Sequence, residues 1–277
     1  MIEIERLTEI RRRTMEAGPL IHCLTNHITI NDCANMVLVV GGRPIMAEHP
    51  AEVQEITATA GSLAMNLGNI TDERMKSMRL SAQTAAEQGI PSVFDIVGVA
   101  CSRLRLDFAK ELLKSQPVSV IKGNMSEMKA LCGVANNARG IDAGEADAVR
   151  VDNQNLVIPM ARELAKQYRA VIVITGAVDV ITDGNDAWLM ENGCRELSRV
   201  TGTGCMLNVL IGTYLAEKDA LGAAVLGTAV MGIGGELAAK EAEGIGSFKV
   251  KLFDHIDTLT DKVLRDRIRI KKAGGVS

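Results

Sequence analysis

The pattern that decides the fold lies in SLAMNLGNITDERMKSMRLSAQTAAEQGIPSVFDIVGV, residues 62–99, where a long polar segment separates two short apolar ones. Thr71 is a good helix cap for the polar segment, and Gly89 followed by Pro91 ends it. The two apolar segments lack the polar alternation of a half-exposed strand. A strand–helix–strand unit of this kind predicts a mostly parallel sheet covered by helices on both faces.

The same alternation continues along the chain. Further apolar runs predict strands over 118–123 and 170–176, and amphipathic segments predict helices over 71–89, 103–116 and 155–169. Beyond residue 176 the rhythm changes. Two shorter strands joined by a turn at Asp183-Gly184 are expected to extend the sheet in antiparallel fashion, followed by helices at about 204–217, about 220–243 and from about 251.

The polar stretch 136–153 is interpreted as a loop, because the strand–helix rhythm resumes after it. With 277 residues, 47% of them hydrophobic and 23% charged, the chain has ample material for one core. We therefore predict a single α/β domain over residues 1–277, with helices layered on both faces of a mostly parallel central sheet.

Charge and cysteine content exclude several classes of protein. A formal net charge of −3 leaves no basic excess for a nucleic-acid binder. The longest uncharged runs, 200–216 and 220–235, are shorter than the ~20 apolar residues of a membrane span. The six cysteines are scattered without a CxxC pair, which argues against structural zinc. Free thiols and the absence of an export signal predict a cytoplasmic protein.

Ligands of parallel sheets bind at the carboxyl ends of the strands, and two such ends carry charged residues. Asp95 ends an apolar run, where a carboxylate is costly unless it is paired, holds a metal or caps a backbone amide. Lys122 ends another run and is followed by Asn124 and Glu127, which have the spacing of a capping box. Together these side chains also offer oxygens for Mg²⁺ and a cation for phosphates.

The stretch TGTGC, residues 201–205, precedes a long apolar helix. Its glycines allow a tight turn, and the free N–H groups and positive end of the helix favour a phosphate. The stretch matches neither a Walker A loop nor a Rossmann fingerprint, and a purely structural turn is the alternative. Cys205 is either a packed thiol or a reactive one, whose pKa the helix end is expected to lower.

Near the N-terminus, Asn26 follows a short apolar run and precedes a helix, and Met46 ends a second short strand. Met46 could line an apolar pocket, although core packing is the ordinary role of a single methionine.

Taken together, these segments resemble the hydroxyethylthiazole kinase family of the ribokinase-like superfamily. The resemblance rests on HCLTNHITINDCANMVLVVGGRPIM, VFDIVGV, SVIKGNMSE, VIVITG and VTGTGC, which occur in the expected order over nearly the whole chain. It implies transfer of the ATP γ-phosphate to the alcohol of 4-methyl-5-(2-hydroxyethyl)thiazole in thiamine salvage. It also implies Mg²⁺ as cofactor and a homotrimer with sites between subunits.

The resemblance also implies roles for individual residues, carried over position by position. It assigns Asn26, Met46 and Gly202 to the thiazole, Lys122 and Thr175 to ATP, and Asp95 and Glu127 to Mg²⁺. The amides of Gly202, Thr203 and Gly204 would form the anion hole for the developing phosphate charge. Cys205 stands where most superfamily members carry the aspartate that takes the proton of the substrate hydroxyl, which implies a slow enzyme.

Two positions depart from the family pattern. Ile96 stands where proline is usual after the metal-binding aspartate, and Lys122 stands where arginine is common. Three alternatives are compatible with the fold: an ADP-linked dehydratase that repairs hydrated nicotinamide cofactors, a thiazole or nucleotide sensor without turnover, and a kinase for pyridoxal or hydroxymethylpyrimidine. The dehydratase lacks the N-terminal block seen here, and the neighbouring kinases would carry aspartate at position 205.

Overall fold

The computed structural model describes residues 2–134 and 154–274, which form one nine-stranded sheet in the order β2-β1-β3-β4-β5-β6-β7-β8-β9. The strands are β1 (Leu20–Leu24), β2 (Arg43–Ile45), β3 (Ser62–Asn66), β4 (Ser92–Asp95), β5 (Val120–Asn124), β6 (Val171–Thr175), β7 (Asp179–Thr182), β8 (Ala187–Met190) and β9 (Ile270–Lys272). The helices are α1 (Ile4–Ala17), α2 (Ile30–Val39), α3 (Val53–Thr59), α4 (Asp72–Gln88), α5 (Arg103–Ser115), α6 (Met125–Leu131), α7 (Gln154–Tyr168), α8 (Thr203–Leu215), α9 (Ala220–Glu241), α10 (Ile245–Asp257) and α11 (Asp261–Arg267).

The six strands β1 to β6 pair in parallel, and β7, β8 and β9 are antiparallel additions at one edge. This confirms the mostly parallel sheet and the antiparallel extension after residue 176. Among the parallel strands, β1 and β3 to β6 are largely buried on both faces, which explains why their sequences show no polar alternation, whereas the edge strand β2 is partly exposed.

Side chains alternate between two apolar layers on opposite faces of the sheet. On β4, Val93 joins the layer formed with α1, α2, α8, α9 and α10, whereas Phe94 joins the layer formed with α4, α5 and α7. Helices therefore cover both faces, as the sequence predicts. Because successive side chains of a strand point to opposite faces of the sheet, the position of a residue in its strand determines which face its side chain occupies.

The caps of α4 are those expected from its sequence. The Thr71 side chain accepts a hydrogen bond from the Arg74 N–H, and Gly89 ends the helix with a left-handed φ of 65°. Such a conformation suits glycine because it has no Cβ.

Helix α9 is the one helix in the described residues that is long and apolar enough to cross a membrane. In its most apolar window, 78% of the residues are buried inside the protein. It packs against α8, α10 and the sheet, and so serves as a core helix here.

The C-terminal region differs from the prediction of a single helix from about residue 251. Helix α10 begins at Ile245, α11 follows it, and the last element in the described residues is β9, which pairs with β8. The strand was missed because its three residues are mostly polar, and its position depends on an edge that only the folded sheet provides. The predicted loop over 136–153 lies outside the described residues.

Candidate active site

Three polar side chains lie side by side at the carboxyl end of the sheet. Asn66 on β3 is in register with Asp95 on β4, and Asp95 is in register with Lys122 on β5. All three lie on the face covered by α8, as Ala64, Val93 and Val120 do two positions earlier. Asp95 Oδ2 accepts hydrogen bonds from Lys122 Nζ at 2.8 Å and from Asn66 Nδ2 at 3.0 Å.

The ion pair between Asp95 and Lys122 is almost fully buried, with side-chain exposures of 3% and 4%. Burial raises the pKa of Asp95, an effect that the Lys122 charge opposes. Burial also acts to lower the pKa of Lys122, but the charge and the hydrogen bond of Asp95, together with the nearby Glu127 and Cys205, outweigh it, and the pKa of Lys122 is raised. Each of the two buried side chains is therefore stabilised in its charged form by the charge of the other.

The N-terminus of α8 lies directly above this pair. Gly202 caps the helix with φ at 94°, and a Cβ at Gly204 would stand 3.6 Å from Lys122 Nζ. The first N–H groups of a helix have no intrahelical acceptor, so they are available to an anion. The Thr203 hydroxyl is turned away, because it donates to the Leu197 carbonyl at 2.7 Å. The stretch 202–204 thus presents its backbone to the space above Lys122.

Cys205 faces the same network. Its Sγ accepts hydrogen bonds from Asn26 Nδ2 at 3.0 Å and from Asn66 Nδ2 at 3.4 Å. The prediction of a lowered thiol pKa is wrong. Burial raises the pKa of Cys205, the Asp95 carboxylate adds to the rise, and Lys122 and the hydrogen bonds only partly oppose it.

Glu127 forms the predicted capping box and one contact more. Its Oε2 accepts from the Asn124 N–H at 2.7 Å, and Asn124 Oδ1 accepts from the Glu127 N–H at 3.0 Å. Its Oε1 accepts from the Gly98 N–H at 2.7 Å, which ties the loop after β4 to the start of α6. Burial raises the pKa of Glu127 to about 7, with the Asp95 charge adding to the rise.

We expect Glu127→Gln to lower the free energy of unfolding by about 1–3 kcal/mol, because its NH₂ group would face a buried backbone N–H. Urea unfolding measures the loss. Glu73→Gln, in the exposed first turn of α4, is the matched control and should change stability by less than about 0.5 kcal/mol. Equal effects of the two substitutions would contradict the bridging role of Glu127.

The remaining predicted residues lie around this centre. The Asn26 side chain contacts Cys205 directly and also accepts from the Ile28 and Thr29 N–H groups. Met46 follows β2 and packs partly buried against the core. Thr175 lies two strands from Asp95, in register with Asn124, and no described contact joins it to Cys205.

A cavity of about 370 Å³ opens beside the loops that carry Asn26 and Met46. It is lined by His27, Glu48, His49, Thr71, Asp72, Glu73 and Arg74. His22, a buried residue of strand β1, donates from Nε2 to the Ala47 carbonyl at 2.8 Å and so fixes the loop next to Met46. A larger cavity lies among α5, α6 and α7, away from these residues.

Sequence reasoning missed Asn66 and Thr29. Asn66 looks like one polar residue in an apolar strand, and its register with Asp95 is the signal that only a strand alignment could have supplied. Thr29 matters through packing: a Cβ at Gly202 would lie 2.3 Å from its Cγ2. That contact has no local sequence signature.

Ile96 replaces the usual proline with a residue that has an N–H group. This N–H donates to the Lys122 carbonyl at 2.9 Å, and the side chain is fully buried. The loop after Asp95 is therefore held to β5 by a backbone hydrogen bond that a proline could not make.

No group of three or more His, Cys, Asp or Glu side chains that could hold a metal is found in residues 2–134 and 154–274. The donor chemistry nevertheless fits Mg²⁺, which binds through one or two carboxylates together with waters and substrate phosphates. Asp95 and Glu127 are two buried carboxylates that both interact with the buried cation Lys122; burial raises the pKa of Glu127, and repulsion by the Asp95 charge adds to the rise. A divalent cation would relieve that repulsion.

Comparisons of sequence and of structure relate the chain to known proteins. The model of the hydroxyethylthiazole kinase family matches residues 10–262. Hydroxyethylthiazole kinase 2 of Clostridium botulinum is 48% identical over 262 residues, which make up 95% of this chain and 98% of that protein. The structure of a hydroxyethylthiazole kinase protein from Pyrococcus horikoshii superposes with a TM-score of 0.88 at 31% identity, covering 98% of this chain and 100% of the other.

A more distant structure concerns the fold alone. A ribokinase-like superfamily protein of Enterococcus faecalis superposes with a TM-score of 0.60 at 10% identity, over 92% of this chain and 94% of its own. The layered sheet is therefore of the ribokinase-like type. The match of family model, sequence and structure over nearly all of its length shows that the chain belongs to the hydroxyethylthiazole kinase family.

Proposed function

We propose that the protein transfers the γ-phosphoryl group of ATP to the primary alcohol of 4-methyl-5-(2-hydroxyethyl)thiazole, as a step of thiamine salvage. One observation carries the proposal: the free N-terminus of α8 lies over Lys122 and beside Cys205, within the Asn66–Asp95–Lys122 row. Phosphoryl transfer requires positioning and charge stabilisation rather than covalent catalysis. These residues supply both.

The alcohol and the nucleotide would approach the centre from different directions. Asn26, Met46 and Gly202 would contact the thiazole, and the cavity beside the loops that carry the first two supports this assignment. Lys122 and Thr175 contact ATP along the strand ends of β5 and β6. Asp95 and Glu127 would hold Mg²⁺, which neutralises charge on the phosphates when bound.

In the reaction, the alcohol oxygen attacks the γ-phosphorus, the new O–P bond forms, and the bond to the ADP oxygen breaks. The amides of Gly202, Thr203 and Gly204 receive the charge that develops on the phosphoryl oxygens. Cys205, as thiolate, takes the proton of the alcohol. Because its thiol pKa is raised, only a small fraction is ionised at neutral pH, and turnover is slow.

We also propose a cytoplasmic homotrimer with sites between subunits. All six cysteines are free thiols, in keeping with a reducing compartment. Ile28 and Leu38 are 68% and 54% exposed, and Ile28 lies two residues from Asn26. Apolar side chains exposed next to a ligand-binding loop are typical of a subunit contact.

We further propose that the protein binds neither nucleic acid nor membranes. The net charge of −3 supports this proposal for nucleic acid.

The direct test is product identification. Protein incubated with ATP, Mg²⁺ and hydroxyethylthiazole should yield the phosphorylated thiazole in mass spectra. A protein that binds the thiazole without forming this product would be the sensor instead.

We expect the activity of the wild-type protein to rise with pH, because thiolate accumulates only as the pH approaches the raised pKa of Cys205. In Cys205→Asp the base is already ionised at neutral pH, so kcat/KM should be nearly flat between about pH 7 and 9 and at least equal to wild type at pH 7. Initial rates across this range provide the measurement. Cys205→Ser is the control and should be slow at every pH. Loss of all activity in Cys205→Asp would show that position 205 does not hold the base.

A further inference from the structure

Asn66 uses every hydrogen-bonding position of its side chain. Its Nδ2 donates to Asp95 Oδ2 at 3.0 Å and to Cys205 Sγ at 3.4 Å. Its Oδ1 accepts from the Gly68 N–H at 2.8 Å and from Asn26 Nδ2 at 3.3 Å. A primary amide has two donor hydrogens and two acceptor lone pairs, so all four positions are occupied.

The orientation of this amide is determined by its partners. The Gly68 N–H can only donate and therefore requires the amide oxygen, and a carboxylate at Asp95 can only accept and therefore requires the amide nitrogen. The side chain is fully buried, so water does not compete for these bonds. The Asn66 side chain therefore adopts a single rotamer, in which the positions of the amide oxygen and nitrogen cannot be exchanged.

The partners of Asn66 belong to four different segments of the chain. Gly68 lies in the loop after β3, Asn26 in the loop after β1, Asp95 at the end of β4, and Cys205 in the first turn of α8. Asn26 also donates to Cys205 Sγ, at 3.0 Å, so two amide donors converge on the sulfur. Hydrogen bonds donated to a thiolate favour the ionised form.

We propose that Asn66 is a positioning residue that links the Asp95 carboxylate to Cys205 and stabilises the thiolate by donating to its sulfur. It touches neither substrate in this assignment and acts through the two groups it holds. The role in turnover rests on the function proposed above. The effect of Asn66 on the ionisation of Cys205 does not rest on that function, because it is a property of the protein without substrates.

The chain offers a matched control in Asn208 on α8. This asparagine is also buried, and its Nδ2 donates to the Met65 carbonyl of β3 at 3.1 Å. It thus joins the same helix to the same strand, next to Asn66, with no described hydrogen bond to Cys205 or Asp95. Replacing Asn208 removes a buried amide from this region without removing a donor from the sulfur.

The experiment is alkylation of Cys205 by iodoacetamide as a function of pH. Cys101 and Cys132 are exposed and Cys194 is half-buried, so all three are replaced by serine, whereas Cys23 and Cys33 are buried. Peptide mass spectrometry follows the labelling of Cys205, and Cys205→Ser supplies the blank. Asn66→Leu and Asn208→Leu are then compared in this background, with initial kinase rates measured in parallel.

We expect Asn66→Leu to move the alkylation midpoint to higher pH by about one pH unit and to lower kcat at neutral pH at least about tenfold. Asn208→Leu should leave the midpoint unchanged. An unchanged midpoint in Asn66→Leu, or an equal change in both variants, would overturn the proposal. If Asn66→Leu does not fold, Asn66→Ser is measured against the same criteria, since its hydroxyl can donate only one hydrogen bond. Absence of kinase activity in the wild-type protein would contradict the proposed function alone, because the alkylation profile needs no turnover.

Discussion

Asp95→Ala is expected to abolish activity and to lower the free energy of unfolding by about 3–5 kcal/mol. The carboxylate is the ion-pair partner of Lys122, and both side chains are almost fully buried. Its removal leaves an unpaired ammonium group in the core and leaves Asn66 Nδ2 with Cys205 Sγ as its one remaining described acceptor. The loss in kcat should be at least about 10³-fold, which corresponds to about 4 kcal/mol of transition-state stabilisation. Chemical unfolding and initial rates measure the two effects.

The double variant Asp95→Asn with Lys122→Met separates these effects. It removes both charges and keeps an acceptor for Asn66, so most of the lost stability should return, since a buried pair can be replaced by neutral groups at little cost. Activity should stay absent, because the carboxylate and the cation are both gone. A double variant that regains turnover would show that the pair has only a structural role.

Gly202→Ala is expected to lower kcat by about 10²–10³-fold, the effect of losing a backbone donor from an anion hole. Gly202 has a φ of 94°, which is strained for alanine, and the added Cβ would lie 2.3 Å from Thr29 Cγ2. The start of α8 must therefore shift, and the amides of the anion hole shift with it. The rate of ADP release and the melting temperature are the measurements.

Gly89→Ala is the matched control for backbone strain. Gly89 has a φ of 65° at the end of α4, and a Cβ there meets nothing within 4 Å. The Gly89→Ala variant should lose about 1–2 kcal/mol in its free energy of unfolding while keeping its activity. Adding Thr29→Ser to Gly202→Ala removes the clashing methyl group and should recover part of the stability. Normal activity in Gly202→Ala would contradict the placement of the anion hole.

Much of the fold could be predicted from the sequence because its signals are local. The caps at Thr71 and Gly89 delimit α4, and the buried strands on either side have no polar alternation. The capping box of Asn124 and Glu127 is likewise a matter of spacing alone. Strand β9 could not be predicted, because a short polar segment becomes a strand only where β8 offers a free edge.

The candidate site was only partly predictable, because its chemistry depends on neighbours distant in sequence. The residues at strand ends and in the glycine stretch could be found by position. The sign of the pKa change at Cys205 could not, since burial and the charge of Asp95 outweigh the helix end. The second partner of Glu127, Gly98, and the central place of Asn66 follow from how strands align, which no local pattern records.

The most direct test of the proposed function is ADP release from ATP and Mg²⁺, measured without an acceptor and with hydroxyethylthiazole, pyridoxal or hydroxymethylpyrimidine. We expect ADP release to depend on an acceptor, with hydroxyethylthiazole giving the highest kcat/KM, and to disappear in the Asp95→Asn, Lys122→Met variant. ADP release that is the same with and without hydroxyethylthiazole, or faster with another acceptor, would contradict the assignment of this site to thiazole phosphorylation.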